Sequence, residues 1–238
     1  MLDDLRALLA AVPSAALRAD YAKAVVEQNI LGKPTKKARE LAFRHLATLY
    51  GLDPGVPVFR ALRRLWPLSE AGQPLLSLFV ALARDPLLRS TQDFVLAKEQ
   101  GATILRTDLE GHLASNQPHR FSPASLKSFA QNVNGTWMAA GFLSGRVRKT
   151  RSSPVVTPAV VALCLFLGFL EGLSGQRLFS SHWMKLLPGN ALELESIAGA
   201  AARQDVLVFL NAGGVKEVRF PGYLTADEEQ VRQEVSRV

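Results

Sequence analysis

The sequence predicts a mostly α chain: a helical bundle closed by a C-terminal β-hairpin. Three observations carry this. Apolar residues recur at helical spacing over most of the 238 residues. Helix-start residues precede many of those stretches, at Thr35, Ser122-Pro123, Thr157-Pro158 and Asn190. Only residues 206–220 change to strand-like apolar runs around a glycine turn.

The elements follow in order. Leu2, Leu5, Leu8 and Leu9 give a helix over 2–11 that stops before Pro13. Ser14 caps a helix over 15–29, and Gly32-Lys33-Pro34 breaks it. Thr35 caps a helix over 36–50 with Leu41, Phe43, Leu46, Leu49 and Tyr50 on its apolar face. The cluster Asp53-Pro54-Gly55-Val56-Pro57 turns the chain. Short helices are expected over 57–66, 69–83, 85–89, 91–100 and 105–114. The polar stretch 115–120 divides two domains, 1–118 and 119–238.

Pro123 opens a helix over 123–140 whose apolar face is Leu126, Phe129, Ala130, Val133, Trp137 and Ala140, with a break near Asn134-Gly135. Further helices are expected over 158–170, over 181–187 capped by Ser180 or Ser181, and over 191–203 capped by Asn190. Strands at 206–210 and 215–220 flank Asn211-Ala212-Gly213-Gly214, with Val208 and Leu210 inward and Lys216 outward. Thr225 to Glu228 is a capping box for a charged last helix. Helix, turn, helix and hairpin over 181–220 is the order of a winged helix, so the fold class becomes a helical bundle with helix-turn-helix or winged-helix-like units.

Hydrophobic residues make up 48% of the chain, enough for a sizeable core. Cys164, the single cysteine, lies in an apolar run and reads as a buried thiol. The apolar stretch 155–170 mimics a membrane span, but Thr157-Pro158 trims it well below the ~20 residues a span needs, so a buried helix is expected. Asp3 and Asp4 stand where a secretion leader would be basic. A cytoplasmic protein with no membrane partner is expected.

The net charge is +7, which favours anionic partners. One basic cluster runs over 33–64, with Lys33, Lys36, Lys37 and Arg39 at a helix start and Arg44, Arg60, Arg63 and Arg64 beyond. A second spans a stretch from Gly111 to Leu170 without a single acidic residue. It holds Arg120, Lys127, Arg146, Arg148, Lys149 and Arg151, the last four within the loop GFLSGRVRKTRSS. Ser125, Ser128, Asn132 and Asn134 on the preceding helix are suited to phosphates and base edges.

The expected DNA-contacting residues are therefore Lys33, Lys36, Lys37, Arg39, Arg120, Lys127, Asn132, Arg146, Arg148, Lys149 and Arg151, the last four solvent-facing in their loop. The partner is double-stranded DNA, with other proteins of the same system possible. A protein-interaction scaffold is the rival; its surface would be helix 191–203 and the charged tail. Glu193 and Glu195 near the start of 191–203 argue against that helix as a DNA reader. His45, His112, His119 and His182 form no metal pattern; Walker loop, dinucleotide fingerprint and nucleophile elbow are absent. No catalytic residue, cofactor, metal or small-molecule substrate is expected.

Three segments resemble the BrxA family, small helical proteins of bacterial BREX anti-phage systems. They are VEQNILGKPTKKARELAFRHLATLYGLD, SPASLKSFAQNVNGTWMAAGFLSG and ARQDVLVFLNAGGVKEVRF, and the likeness extends over residues 17–222. The resemblance implies a helical fold with helix-turn-helix units, no catalytic residues, DNA association and a role in phage defence. The charged end, 225–238, is an addition to the family pattern.

Overall fold

A computed structural model describes residues 1–116, 118 and 120–235. The core is built round one helix, here α10, over Pro158–Leu170. Every residue from Ala159 to Phe169 on it is buried. A helix with no polar face must be wrapped on all sides. Before it in the chain come α1 (Leu2–Ala11), α2 (Arg18–Ala22), α3 (Lys36–Tyr50), α4 (Pro57–Leu65), α5 (Gln73–Arg84), α6 (Pro86–Arg89), α7 (Gln92–Leu96), α8 (Arg106–Asn116) and α9 (Pro123–Ala139). After it come α11 (Gln176–Phe179), α12 (His182–Lys185), α13 (Ala191–Arg203) and α14 (Ala226–Val235). Helices α4, α5, α11, α12 and α13 all pack on α10. Among the described residues, no helix is long and apolar enough to cross a membrane.

Several helix starts follow the sequence. Thr35 Oγ1 accepts the Ala38 amide at 3.1 Å, Asp85 Oδ1 accepts those of Leu87 and Leu88, and Ser181 Oγ accepts that of Met184 at 3.3 Å. Asn190 and Glu193 exchange both capping-box bonds. Others differ. The second helix begins at Arg18, not 15, because the Asp20 carboxylate takes the Leu17 amide at 2.9 Å, and it ends in a π-helical turn, Lys23–Glu27. Thr157 stands at the start of α10, but its hydroxyl is buried without a partner. The fifth helix starts at Gln73, after a 3₁₀ turn at Trp66–Leu68. Helix α9 runs unbroken through Asn134-Gly135.

Three short strands have no counterpart in the sequence reading: β1 (Thr103–Ile104), β2 (Leu143–Ser144) and β3 (Lys149–Arg151). They form an antiparallel sheet in the order β1-β3-β2, with Thr150 opposite both Thr103 and Ser144. The basic stretch is thus a strand-turn-strand ribbon. Helices α8 and α9 lie between β1 and β2 in the chain and pack on each other. Strand β1 lies before the expected boundary at 118/119 and β3 after it, so their pairing crosses that point. The other candidate unit, 181–220, has helices α12 and α13 followed by strands β4 (Val208–Ala212) and β5 (Val215–Arg219), which form a sheet of two strands.

The C-terminal hairpin forms, but Asn211 and Ala212 belong to β4 and the turn shrinks to Gly213-Gly214, and the strands present the opposite faces. Leu210 is 51% exposed and Val208 half-buried, whereas Val218 is buried and Lys216 lies largely covered. Phe209 pairs with Val218 and packs on Phe179, so odd residues of β4 face inward. A one-residue shift in phase exchanges the two faces of a strand. Lys216 is covered because it pairs with Glu195 on α13 and lies over the Phe179 ring.

The tail closes over α4 and α10. Phe220 and Tyr223 pack on Phe166, and the Tyr223 hydroxyl donates to Val206 O at 3.0 Å. Glu228 accepts the Thr225 amide and pairs with Arg60. Burial raises the Glu228 pKa, but the bonds from Thr225 and Arg60 outweigh it and leave the group below 4.5. A depressed carboxylate pKa contributes stability above the unfolded value that is lost as pH falls through the folded one. Glu228→Gln is therefore expected to cost on the order of 1 kcal/mol at pH 7. The gap between variant and wild type in urea melts should close as pH drops below 4.5.

Candidate nucleic-acid interface

The two basic clusters meet different fates. The first is largely tied into the fold. Lys33 pairs with Asp4 at 2.8 Å, Lys36 faces Glu40 at 4.0 Å, and Arg39 reaches Glu27 O at 3.5 Å. Lys37 stays exposed. Farther along, Arg63 donates to Leu9 O and Val12 O at 2.7 and 2.8 Å, satisfying carbonyls at the end of α1. Arg60 donates to Pro54 O, and Arg64 to Pro221 O while it lies over the Tyr223 ring. These arginines join α4 to its neighbours.

The second cluster is sorted by position along the ribbon. Arg151 is buried at 8% exposure, which corrects its reading as solvent-facing. Its guanidinium lies over the Phe142 ring and donates to Phe142 O at 3.2 Å and to Ser152 O. Burial lowers its pKa. Lys149 folds back: its ammonium donates to Gly145 O at 2.6 Å and Arg146 O at 3.0 Å and touches Met138 Sδ. It clips the ribbon's turn to α9. Gly145 has φ +93°, and a Cβ there would fall 2.2 Å from Arg148 O, so only glycine closes this turn.

Arg146, Val147 and Arg148 are left at the tip, with Val147 96% exposed. The Arg146 and Arg148 side chains make no hydrogen bond or ion pair with the described residues. Arg120 lies over the Phe121 ring at 5.1 Å.

Beside the ribbon lies the outer face of α9. Trp137 anchors the inner face, with its indole donating to the buried Thr91 hydroxyl at 3.0 Å and its ring edge-on to Phe142. The outer stripe is Ala124, Lys127, Ser128, Gln131, Gly135 and Met138, with Asn132 at its edge. Ser125 is engaged with the Ser122 cap, and Asn134 is 6% exposed with a partnerless Oδ1. Neither is available as the sequence suggested. Between α9 and the ribbon runs an open groove of about 530 Å³, lined among others by Ile104, Arg106, Gln131, Gly135, Met138 and Arg148.

Arg106, which lines the groove, pairs with Glu110 one turn along α8. The sequence reading passed over Gln131, which lines the groove; its signal was its place on the exposed stripe, four residues from Gly135 and three from Ser128.

His112 is taken up structurally, bonded to Ser90 O at 2.8 Å and to Asn116. His119 lies outside the described residues. Among those described, no group of three or more His, Cys, Asp or Glu side chains is placed to hold a metal. Glu193 and Glu195 on α13 are held by the Asn190 cap and by Lys216.

This sorting has a measurable consequence. Arg151→Ala takes the donor from the Ser152 carbonyl, removes the cation packed over Phe142, and leaves Phe142 O only its bond from the Ser152 amide; it is expected to cost about 2 kcal/mol in a urea melt. Arg148→Ala removes an exposed side chain and should stay within about 0.5 kcal/mol of wild type. No family model, curated protein or solved structure matches the chain.

Proposed function

We propose that the chain is a non-enzymatic double-stranded DNA-binding protein, and that residues 103–151 are its winged-helix unit. The observation that carries this is the juxtaposition of α9's polar outer stripe with the Arg146–Arg148 tip across one groove. Further support comes from the order β1, α8, α9, β2, β3 with β3 central in the sheet. In such a unit the second of two packed helices enters the major groove while the ribbon rests on the neighbouring backbone. Lys127 near the start of α9 and the two tip arginines are then the phosphate contacts, and they position the duplex without reading it.

The unit moves from 181–220 to 103–151 in this reading. Against the scaffold alternative, Glu193 and Glu195 on its proposed helix are engaged by the Asn190 cap and by Lys216. An accessory role in a bacterial anti-phage defence system is proposed on the resemblance of residues 17–222 to the BrxA family.

Fluorescence anisotropy with a mixed-sequence duplex at several salt concentrations tests the reading. Each neutralised phosphate contributes about 0.9 to the slope of log affinity against log salt. The variant Arg146→Ala/Arg148→Ala should melt like wild type and bind more weakly, with a slope reduced by about 1.8. No duplex binding by the wild type, or a slope the variant leaves unchanged, refutes the proposal.

A further inference from the structure

We infer that α9 reads adenine, with Gln131 as the principal specificity-determining residue and Asn132 as the second. The inference rests on the duplex-binding reading and adds which bases that site prefers. Residues 124, 128, 131 and 135 follow one another at helical spacing, so they form the ridge of the exposed stripe. On that ridge Ala124, Ser128 and Gly135 are small, and Gln131 alone projects a long polar side chain. A Cβ at Gly135 would meet nothing within 4 Å, so the space above the helix there is open. A helix shaped in this way approaches a groove floor closely and carries one amide forward.

The chemistry of the amide names the base. A carboxamide presents one acceptor and two donor hydrogens side by side, which match N6 and N7 of adenine in the major groove. Guanine is read there by Arg or Lys through O6 and N7. Helix α9 carries no arginine, and its one lysine, Lys127, is the phosphate contact of the duplex-binding reading. Cytosine is favoured by carboxylates, and no acidic residue occurs between Gly111 and Leu170.

The amides of Gln131 and Asn132 make no side-chain hydrogen bond with the described residues. Asn134, by contrast, is buried below the stripe. Arg148 and Gln131 share the groove, and Arg146 stands beside Arg148 at the exposed tip. The two arginines hold the duplex against α9 in one orientation, which lets a single amide discriminate.

The experiment is selection from a randomised duplex pool by the full chain, followed by anisotropy on the enriched site. Wild type is expected to enrich sites with adenine at one fixed position and a weaker adenine preference beside it. Gln131→Ala should erase the first preference and weaken the best site about tenfold or more. Its binding to a mixed-sequence duplex, its salt slope and its melting temperature should match wild type. Asn132→Ala should erase only the weaker preference. Gln131→Arg should shift the first position from adenine to guanine.

Salt-dependent duplex binding with no base preference overturns this inference and leaves the duplex reading intact. So does an enriched guanine or cytosine, or an adenine preference that Gln131→Ala leaves in place. Absence of duplex binding overturns both.

Discussion

The structure depends on a helix that has no outside. From Ala159 to Phe169, α10 presents only apolar side chains and one thiol, so no orientation lets it face water. Burying such a helix requires neighbours all round, and the burial of each large side chain is worth roughly 1.5–3 kcal/mol. That requirement draws α4 and α5 from one half of the chain against α12 and α13 from the other. It also explains the aromatic lid. Phe166 and Phe169 would be exposed at one end of α10 without Phe220 and Tyr223, which the hairpin delivers there. The same crowding pushes the Cys164 thiol pKa well up, leaving it a small apolar side chain and no nucleophile.

A core assembled from many short helices exposes many helix ends, and each end has carbonyls without partners. Arginines meet that demand: Arg63 serves the end of α1, Arg84 the Thr48 carbonyl near the end of α3, and Arg89 the Leu82 and Ala83 carbonyls near the end of α5, while Arg60 and Arg64 on α4 serve loop carbonyls of Pro54, Tyr223 and Pro221. A guanidinium offers five donors in a fixed fork, so it can bridge two segments where a lysine ammonium cannot match the geometry. Charge density along the sequence therefore says little about charge available to a ligand. The cluster at 33–64 and the ribbon look alike as strings of Lys and Arg, yet in the first Lys33, Arg39, Arg60, Arg63 and Arg64 are tied to carbonyls or carboxylates and Lys37 and Arg44 stay exposed on α3, while the ribbon ends in two unengaged arginines beside a groove.

Much of the fold was legible because its helices are bounded by chemistry that acts locally. Thr35, Asp85, Ser181 and Asn190 bond amides two or three residues on, so their signal lies within one turn of sequence. The strands β1, β2 and β3 were illegible for the opposite reason. Two or three residues are too few to show a period of two, and β1 finds its partner in Lys149 and Thr150, far along the chain. The C-terminal hairpin was legible in its turn but not in its faces, since Val208 and Leu210 are as apolar as Leu207 and Phe209 and the pattern is ambiguous by one residue. The site was legible as a region. Which cation does what was not, because Arg151 and Arg148 differ only in what the backbone places beside them.

The ribbon's stiffness follows from its least conspicuous residues. A loop carrying four cations repels itself, and in isolation it would sample many shapes. Here Lys149 neutralises that tendency by donating into the turn, where Gly145 permits the tight reversal. Arg151 fastens the base of the ribbon to Phe142, and Phe142 lies edge-on to Trp137, which is bonded to Thr91 in the core. Two cations of the four thus hold the other two in place. Ordering flexible arginines on binding costs entropy, on the order of 1–2 kcal/mol per side chain and more for a disordered backbone. A ribbon already fixed at both ends has the backbone part of that cost met by folding, and it holds the tip at a set distance from α9. The separation between the tip arginines and the outer face of α9 is then a property of the fold, inherited from Thr91 and Trp137, and not of the loop's own sequence.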